Sequence, residues 1–331
     1  MRATVIPMTR RRLCDFLVAS CVPEGGILRY SLFADGSVLP VDRIAMPSPM
    51  FFTQTGGRLW AVLRDPFADS EDSGIAAFDP RSGDCLQETV STRGAVGCHL
   101  AVDGEAVFVA NYLGGSIFGL PERLIRHHGR GVDPARQEAP HPHSVFFSPD
   151  RRYLLSCDLG LDTVFVYNRQ LQEISHVRVP DGVGPRHLCF SSDGGTVYCI
   201  NEMGASISVL SYRDGTLSYQ RTFPLREGGL SGKGSAILPT KDGRRLYVTE
   251  RAAEEILLLS AEGERLSILG RYDSHGVEPR DIALVADERF LIAANQFSDN
   301  LSVYRVGEEG ALEYLSSIPV PAPICVAEWK K

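Results

Sequence analysis

"GVGPRHLCFSSDGGTVYCINE", residues 182–202, reads as a β-hairpin. An apolar strand over 188–191 leads into a Ser-Asp-Gly-Gly turn, and a second strand follows over 196–200. Polar groups stand only at the open end, Arg186 and His187 at entry and Glu202 at exit, while the turn carries ordinary turn chemistry. The same pattern returns without gaps as "HSVFFSPDRRYLLSCDL" (143–159), "SAILPTKDGRRLYVTER" (235–251) and "RDIALVADERFLIAANQ" (280–296). "GCHLAVDGEAVFVANY" (97–112) joins them with a one-residue gap, and "PMFFTQTGGRLWAVLR" (49–64) more loosely. Counted between the turn residues Asp103, Asp150, Asp193, Asp242 and Asp287, the period is 47, 43, 49 and 45 residues.

Each hairpin is followed by a third strand such as "TVFVYN" or "SISVLSY", and often by a fourth, less apolar one such as "RDGTLSYQRTF". Four strands in about 45 residues is the repeat of a β-propeller blade. Six such blades run from residue 48 to about 318. "FLVASC…ILRYSLFADGSVL" supplies strands two to four of a further blade, and the C-terminal "APICVAEW" supplies a lone first strand. The expected fold is therefore an all-β, seven-bladed β-propeller with four antiparallel strands per blade, one domain over residues 1–331. The two chain ends share a blade and so close the ring without an open sheet edge.

Composition fits this fold and narrows the function. The 331 residues are 44% hydrophobic and 23% charged, with a formal net charge of −7. An acidic chain with no Lys/Arg block argues against nucleic acid as a partner, and no apolar run approaches the roughly 20 residues of a membrane span. The eight cysteines are scattered without a CxxC pair, as in a protein of a reducing cytoplasm. "TRRRLCDFLVASC" mimics a lipoprotein export signal, but Asp15 interrupts its short apolar run, and the stretch reads better as a strand.

In a propeller the first strand of each blade lines the axis and the second runs back beside it, so hairpin open ends gather at one mouth. Seven residues before each turn anchor stand His143, Arg186, Ser235 and Arg280; nine after it stand Leu159, Glu202, Arg251 and Gln296, with Tyr112 and Arg64 from earlier blades. One position earlier are Asn111, Asp158, Asn201, Glu250 and Asn295. Such groups can simply cap backbone ends, but converging polar groups in a pocket are also where ligands bind. His143, Arg186, Glu202 and Arg251 are the candidate catalytic set; His187, Arg280, Gln296, Asn111 and Asp158 are the candidate substrate contacts. His99, His127, His128, His141, His176 and His275 read as surface or local-network residues. The loop "HHGRGVDPARQEAPHPH" (127–143) has no metal-ligand spacing, so neither metal nor cofactor is expected.

"HSVFFSPD", "DLGLDTVFVYN", "VANYLGGSI", "GPRHLCFSSDG…VYCINE", "DGRRLYVTER" and "EPRDIALVADERFLIAANQFSDNLSVY" together resemble the bacterial 6-phosphogluconolactonase and fungal carboxy-cis,cis-muconate cyclase family. The resemblance covers nearly the whole chain. It implies a seven-bladed propeller acting on lactones, with site residues matching His143, Arg186, Glu202 and Arg251. Two positions depart from the family pattern, Glu250 for an Asn and Leu238 for a His; Glu250 would add negative charge beside Arg251. With no nucleophile elbow or metal motif, the expected chemistry is hydrolysis of a strained ester. Glu202 or His143 would activate water, while Arg186 and Arg251 bind the anionic group and the developing oxyanion. Cyclisation of a carboxylated muconolactone, or a non-catalytic propeller binding a sugar acid or protein partner, are the alternatives.

Overall fold

A computed structural model describes residues 10–64, 70–226 and 232–330. Seven four-stranded antiparallel sheets account for the strands, and we number them as blades in chain order. Blade 1 covers residues 49–91, blade 2 residues 97–126, blade 3 residues 142–178, blade 4 residues 185–224, blade 5 residues 234–273 and blade 6 residues 279–319. Blade 7 combines the innermost strand Pro323–Glu328 with Arg12–Ser20, Gly26–Phe33 and Val38–Ile44. The stretch that mimicked an export signal is thus a strand, paired on one side with residues 26–33 and on the other with 323–328. Among the described residues, two three-residue 3-10 turns are the only helical segments between the strands, and no helix is long and apolar enough to cross a membrane.

The core lies between blades, because each sheet has two faces and both are covered by neighbours. Second and third strands are apolar on both faces: Leu246–Val248 and Ile256–Leu259 in blade 5 are buried, as are Leu291–Ala294 and Leu301–Val303 in blade 6. Fourth strands alternate with period two, as in 265–273, and expose every second residue at the rim.

One local device repeats in every blade and decides what faces the axis. Near the open end of the innermost hairpin the register shifts, between Pro142 and Ser144, Pro185 and His187, and Pro279 and Asp281, with the same irregularity in the other four sheets. A bulge places an extra residue against one partner residue and re-aims its side chain. The residues at these shifts include Met50, Cys98, His143, Arg186, Ser235, Arg280 and Ile324. Neighbouring blades are stitched there as well: Ser144 Oγ donates to Arg186 O at 2.6 Å, and Ser235 Oγ to Arg280 O at 2.7 Å.

Candidate active site

At the mouth reached by the hairpin open ends lies a cavity of about 260 Å³, slightly below the roughly 300–1,000 Å³ of common ligand pockets. The bulge ring divides its wall. Blades 7, 1 and 2 contribute the apolar arc Ile324, Met50 and Cys98, whereas His143 and Arg280 come from blades 3 and 6. Arg186 faces the narrower channel just beneath, together with His143, Arg280, His187 and Asp281.

Glu202 is the hub. Its Oε2 lies 3.0 Å from Arg251 Nη2, 3.3 Å from Arg186 Nε and 3.7 Å from His143 Nε2. Its Oε1 accepts from Arg136 Nη2 at 2.6 Å. Arg251 also donates to Glu278 at 2.6 Å, and Arg186 to the Ser235 carbonyl at 2.8 Å. The four residues expected to form the catalytic set therefore meet in space. Burial alone would raise the Glu202 pKa, but the guanidiniums of Arg251, Arg186 and Arg136 outweigh it and hold the carboxyl well below its usual range. Such a carboxylate is a weak base and a strong electrostatic anchor.

His143 is the opposite case. Burial, reinforced by Arg186, holds its imidazole neutral, well below the ordinary histidine range, and its buried Nδ1 has no hydrogen-bond partner among the described residues. Four further polar atoms here are buried and without a hydrogen-bond partner among the described residues: Arg186 Nε and Arg251 Nη2, whose contacts with Glu202 lack hydrogen-bond geometry, Arg251 Nε, and Gln296 Oε1. Gln296 lines the cavity, as expected. His187 lies deeper, edge-on to His99 (5.0 Å between centroids) and His143 (5.4 Å), with Phe51 and Phe146 also meeting it edge-on.

Asn111 and Asp158 do not reach the cavity, which corrects their expected role as substrate contacts. Asn111 is fully buried and donates to Thr92 O and Ser116 Oγ. Asp158, also fully buried, accepts from the backbone of His141 and Leu161 and meets His127 Nδ1 at 2.5 Å. These polar strand ends fasten the loops between blades. Glu250 does the same, accepting from the amides of Lys233, Ala252 and Ala253, so its charge is engaged in a loop and not delivered beside the cavity. His99 is also corrected: it is a buried channel residue, stacked on Phe51 at 4.1 Å. His127 and His141 do sit in local networks, with Tyr167 and Tyr112 respectively.

Arg136, Glu278 and Asp281 are polar residues of the site that sequence reasoning passed over. Arg136 rides on the long loop between blades 2 and 3, outside the repeat, where alignment has no register to offer. Asp281 follows a bulge; burial pushes its carboxyl up to about 6. No group of three His, Cys, Asp or Glu with metal-holding geometry occurs among the described residues.

The buried imidazoles give a stability prediction. Burial and Arg186 lower His99 to about 3, and the same causes hold His143 and His187 far down. Below about 6.5 the unfolded chain takes up protons that the folded chain refuses, so stability falls as pH drops. The slope reaches at most about 1.4 kcal/mol per pH unit for each histidine. Urea unfolding at pH 7.5 and 5.5 should show this loss, and His187→Phe should flatten the slope by one proton.

With this geometry in hand, the chain can be placed. Residues 17–328 match the family described as lactonase, 7-bladed beta-propeller, and the chain belongs to that family. An uncharacterised protein of Lactococcus lactis is 33% identical over 285 residues, 78% of this chain and 81% of that protein. A 6-phosphogluconolactonase of Bacillus subtilis is 31% identical over 254 residues, 69% of this chain and 72% of the relative. The solved structure of the periplasmic gluconolactonase of Pseudomonas aeruginosa shares a TM-score of 0.85 at 30% identity, covering 95% of this chain and 98% of the other.

Proposed function

We propose that this protein hydrolyses a sugar lactone, with 6-phospho-D-glucono-1,5-lactone as its substrate. The supporting observation is the charge balance of the site. Five guanidiniums, Arg64, Arg136, Arg186, Arg251 and Arg280, stand against Glu202, Glu278 and Asp281. Neither Arg64, which is exposed, nor part-buried Arg280 forms an ion pair among the described residues, and a part-buried cation such as Arg280 without a partner is stabilised by an anionic ligand.

The residues divide the chemistry between them. Water adds to the lactone carbonyl while neutral His143 takes its proton. Glu202, kept anionic by its arginines, faces the imidazolium that forms. Arg186 and Arg280 stabilise charge on the carbonyl oxygen. Collapse breaks the bond between the carbonyl carbon and the ring oxygen, and His143 returns the proton to the leaving alkoxide. An anionic substrate also offsets the arginine charges that add to the effect of burial on His143.

The likeness to a gluconolactonase favours a second reading, in which the lactone is not phosphorylated. Acid release from 6-phosphogluconolactone, gluconolactone and carboxymuconolactone, each measured above its uncatalysed rate, separates the possibilities. The highest kcat/KM is expected for the phosphorylated lactone. Rates at background on all three would leave a binding propeller instead.

A further inference from the structure

Resting on the lactonase reading, we infer that Arg136 and Arg64 form a phosphate clamp at the rim of the mouth, so that the substrate binds with its phosphate outward and its lactone ring inward. The five guanidiniums are graded in depth. Arg186 and Arg251 have side chains only 3% and 5% exposed, whereas that of Arg136 is 41% exposed and Arg64 is exposed as well. A phosphate dianion is the most strongly hydrated part of the substrate, and it loses least when it stays at the wet end of the site. The uncharged ring fits the deeper part, where Met50, Cys98 and Ile324 face His143 and Arg280.

Arg136 is built for such a role. Its loop, residues 127–141, is the longest of the blade-to-blade connections, yet it is fixed in place. Buried Gln137 accepts from the amides of Val132 and Asp133 and donates to Leu159 O at 2.8 Å. Asp133 Oδ1 accepts from the amides of Ala135 and Arg136 at 2.8 and 3.1 Å. Gly160 admits the loop, since a Cβ there would lie 2.0 Å from Ala139 O. From this base Arg136 spends Nη2 on Glu202 Oε1 and, at 3.4 Å, on Tyr112 OH. Its Nη1 and Nε have no partner among the described residues, and both belong to a planar fork that matches a phosphate edge. Glu202 keeps two buried cations without it, so neutralising Glu202 does not by itself require Arg136. Arg64 enters from the end of the second strand of blade 1, its amide bonded to Ser48 O at 3.0 Å. It touches none of the catalytic set in any ion pair or hydrogen bond among the described residues.

The test is the ratio of kcat/KM for 6-phosphogluconolactone to that for gluconolactone, in wild type, Arg136→Met and Arg64→Met. Each variant should lower this ratio roughly 10- to 100-fold, the range for losing a charge-assisted hydrogen bond, mainly through KM. Arg136→Lys should restore part of it. An unchanged ratio, with both lactones equally slowed, would show that Arg136 acts only by positioning Glu202, and in Arg64→Met it would remove the clamp outright. If the wild type hydrolyses neither lactone, the enzymatic reading fails separately. Calorimetry with 6-phosphogluconate and gluconate then decides the clamp: phosphate-dependent affinity that drops 10- to 100-fold in both variants supports it, and affinity indifferent to phosphate overturns it.

Discussion

His143→Ala lowers kcat on the preferred lactone by about 10²–10⁴-fold, the usual range for a general base, while the protein remains folded. The two halves of this expectation have separate grounds. His143 is the imidazole that lines the mouth and is held neutral there, whereas Glu202 is held far too acidic by its arginines to take a proton near pH 7. Its side chain makes no hydrogen bond to the described residues, with Nδ1 unpartnered and Nε2 3.7 Å from Glu202. Removing it leaves a small space and no stranded charge. Since the pKa is depressed, the acid limb of kcat/KM should lie below the ordinary histidine range, and the rate should stay level from about pH 6.5 upward. A variant with wild-type turnover would exclude His143 as the base.

Glu202→Gln has a different signature, a loss of stability together with a loss of rate. Three guanidiniums converge on this carboxylate, and two of them are buried. Neutralising a buried ion-pair partner typically costs about 3–5 kcal/mol because the remaining charges are left uncompensated. The pH dependence follows from the sign of the shift. A carboxyl depressed in the folded state contributes its stability above the unfolded pKa, near 4.3, and loses it only as pH falls toward the lower folded value. The difference between wild type and variant in urea unfolding should therefore be constant between pH 6 and 8 and shrink in acid. Equal midpoints at neutral pH would mean that the arginine cluster does not depend on Glu202.

The ring and its closure were legible because the repeat carries its own register: the turn aspartates align the hairpins, and the unmatched strands at 12–44 and 323–328 complete one another. His143, Arg186 and Glu202 were legible for the same reason. Asn111 and Asp158 misled because strand neighbours point to opposite faces, and composition does not say which of two adjacent polar residues faces the axis. In blades 2 and 3 the residue ending the second strand turns into the loops, whereas Glu202, one position beyond Asn201, turns to the axis. The bulges add a second obstacle. They make Met50, Cys98 and Ile324 the geometric equals of His143 and Arg280, and apolar residues in apolar strands carry no mark of it. Arg136 lies outside the periodicity altogether.

Diffraction from crystals soaked with 6-phosphogluconate, the product of the proposed reaction, measures the arrangement most directly. The sugar acid should lie in the mouth at the hairpin open ends, its carboxylate within hydrogen-bond distance of His143 and of Arg186 or Arg280, and its phosphate on Arg136 and Arg64. Product bound at another surface, or a mouth that stays without ligand at saturating concentration, would contradict it.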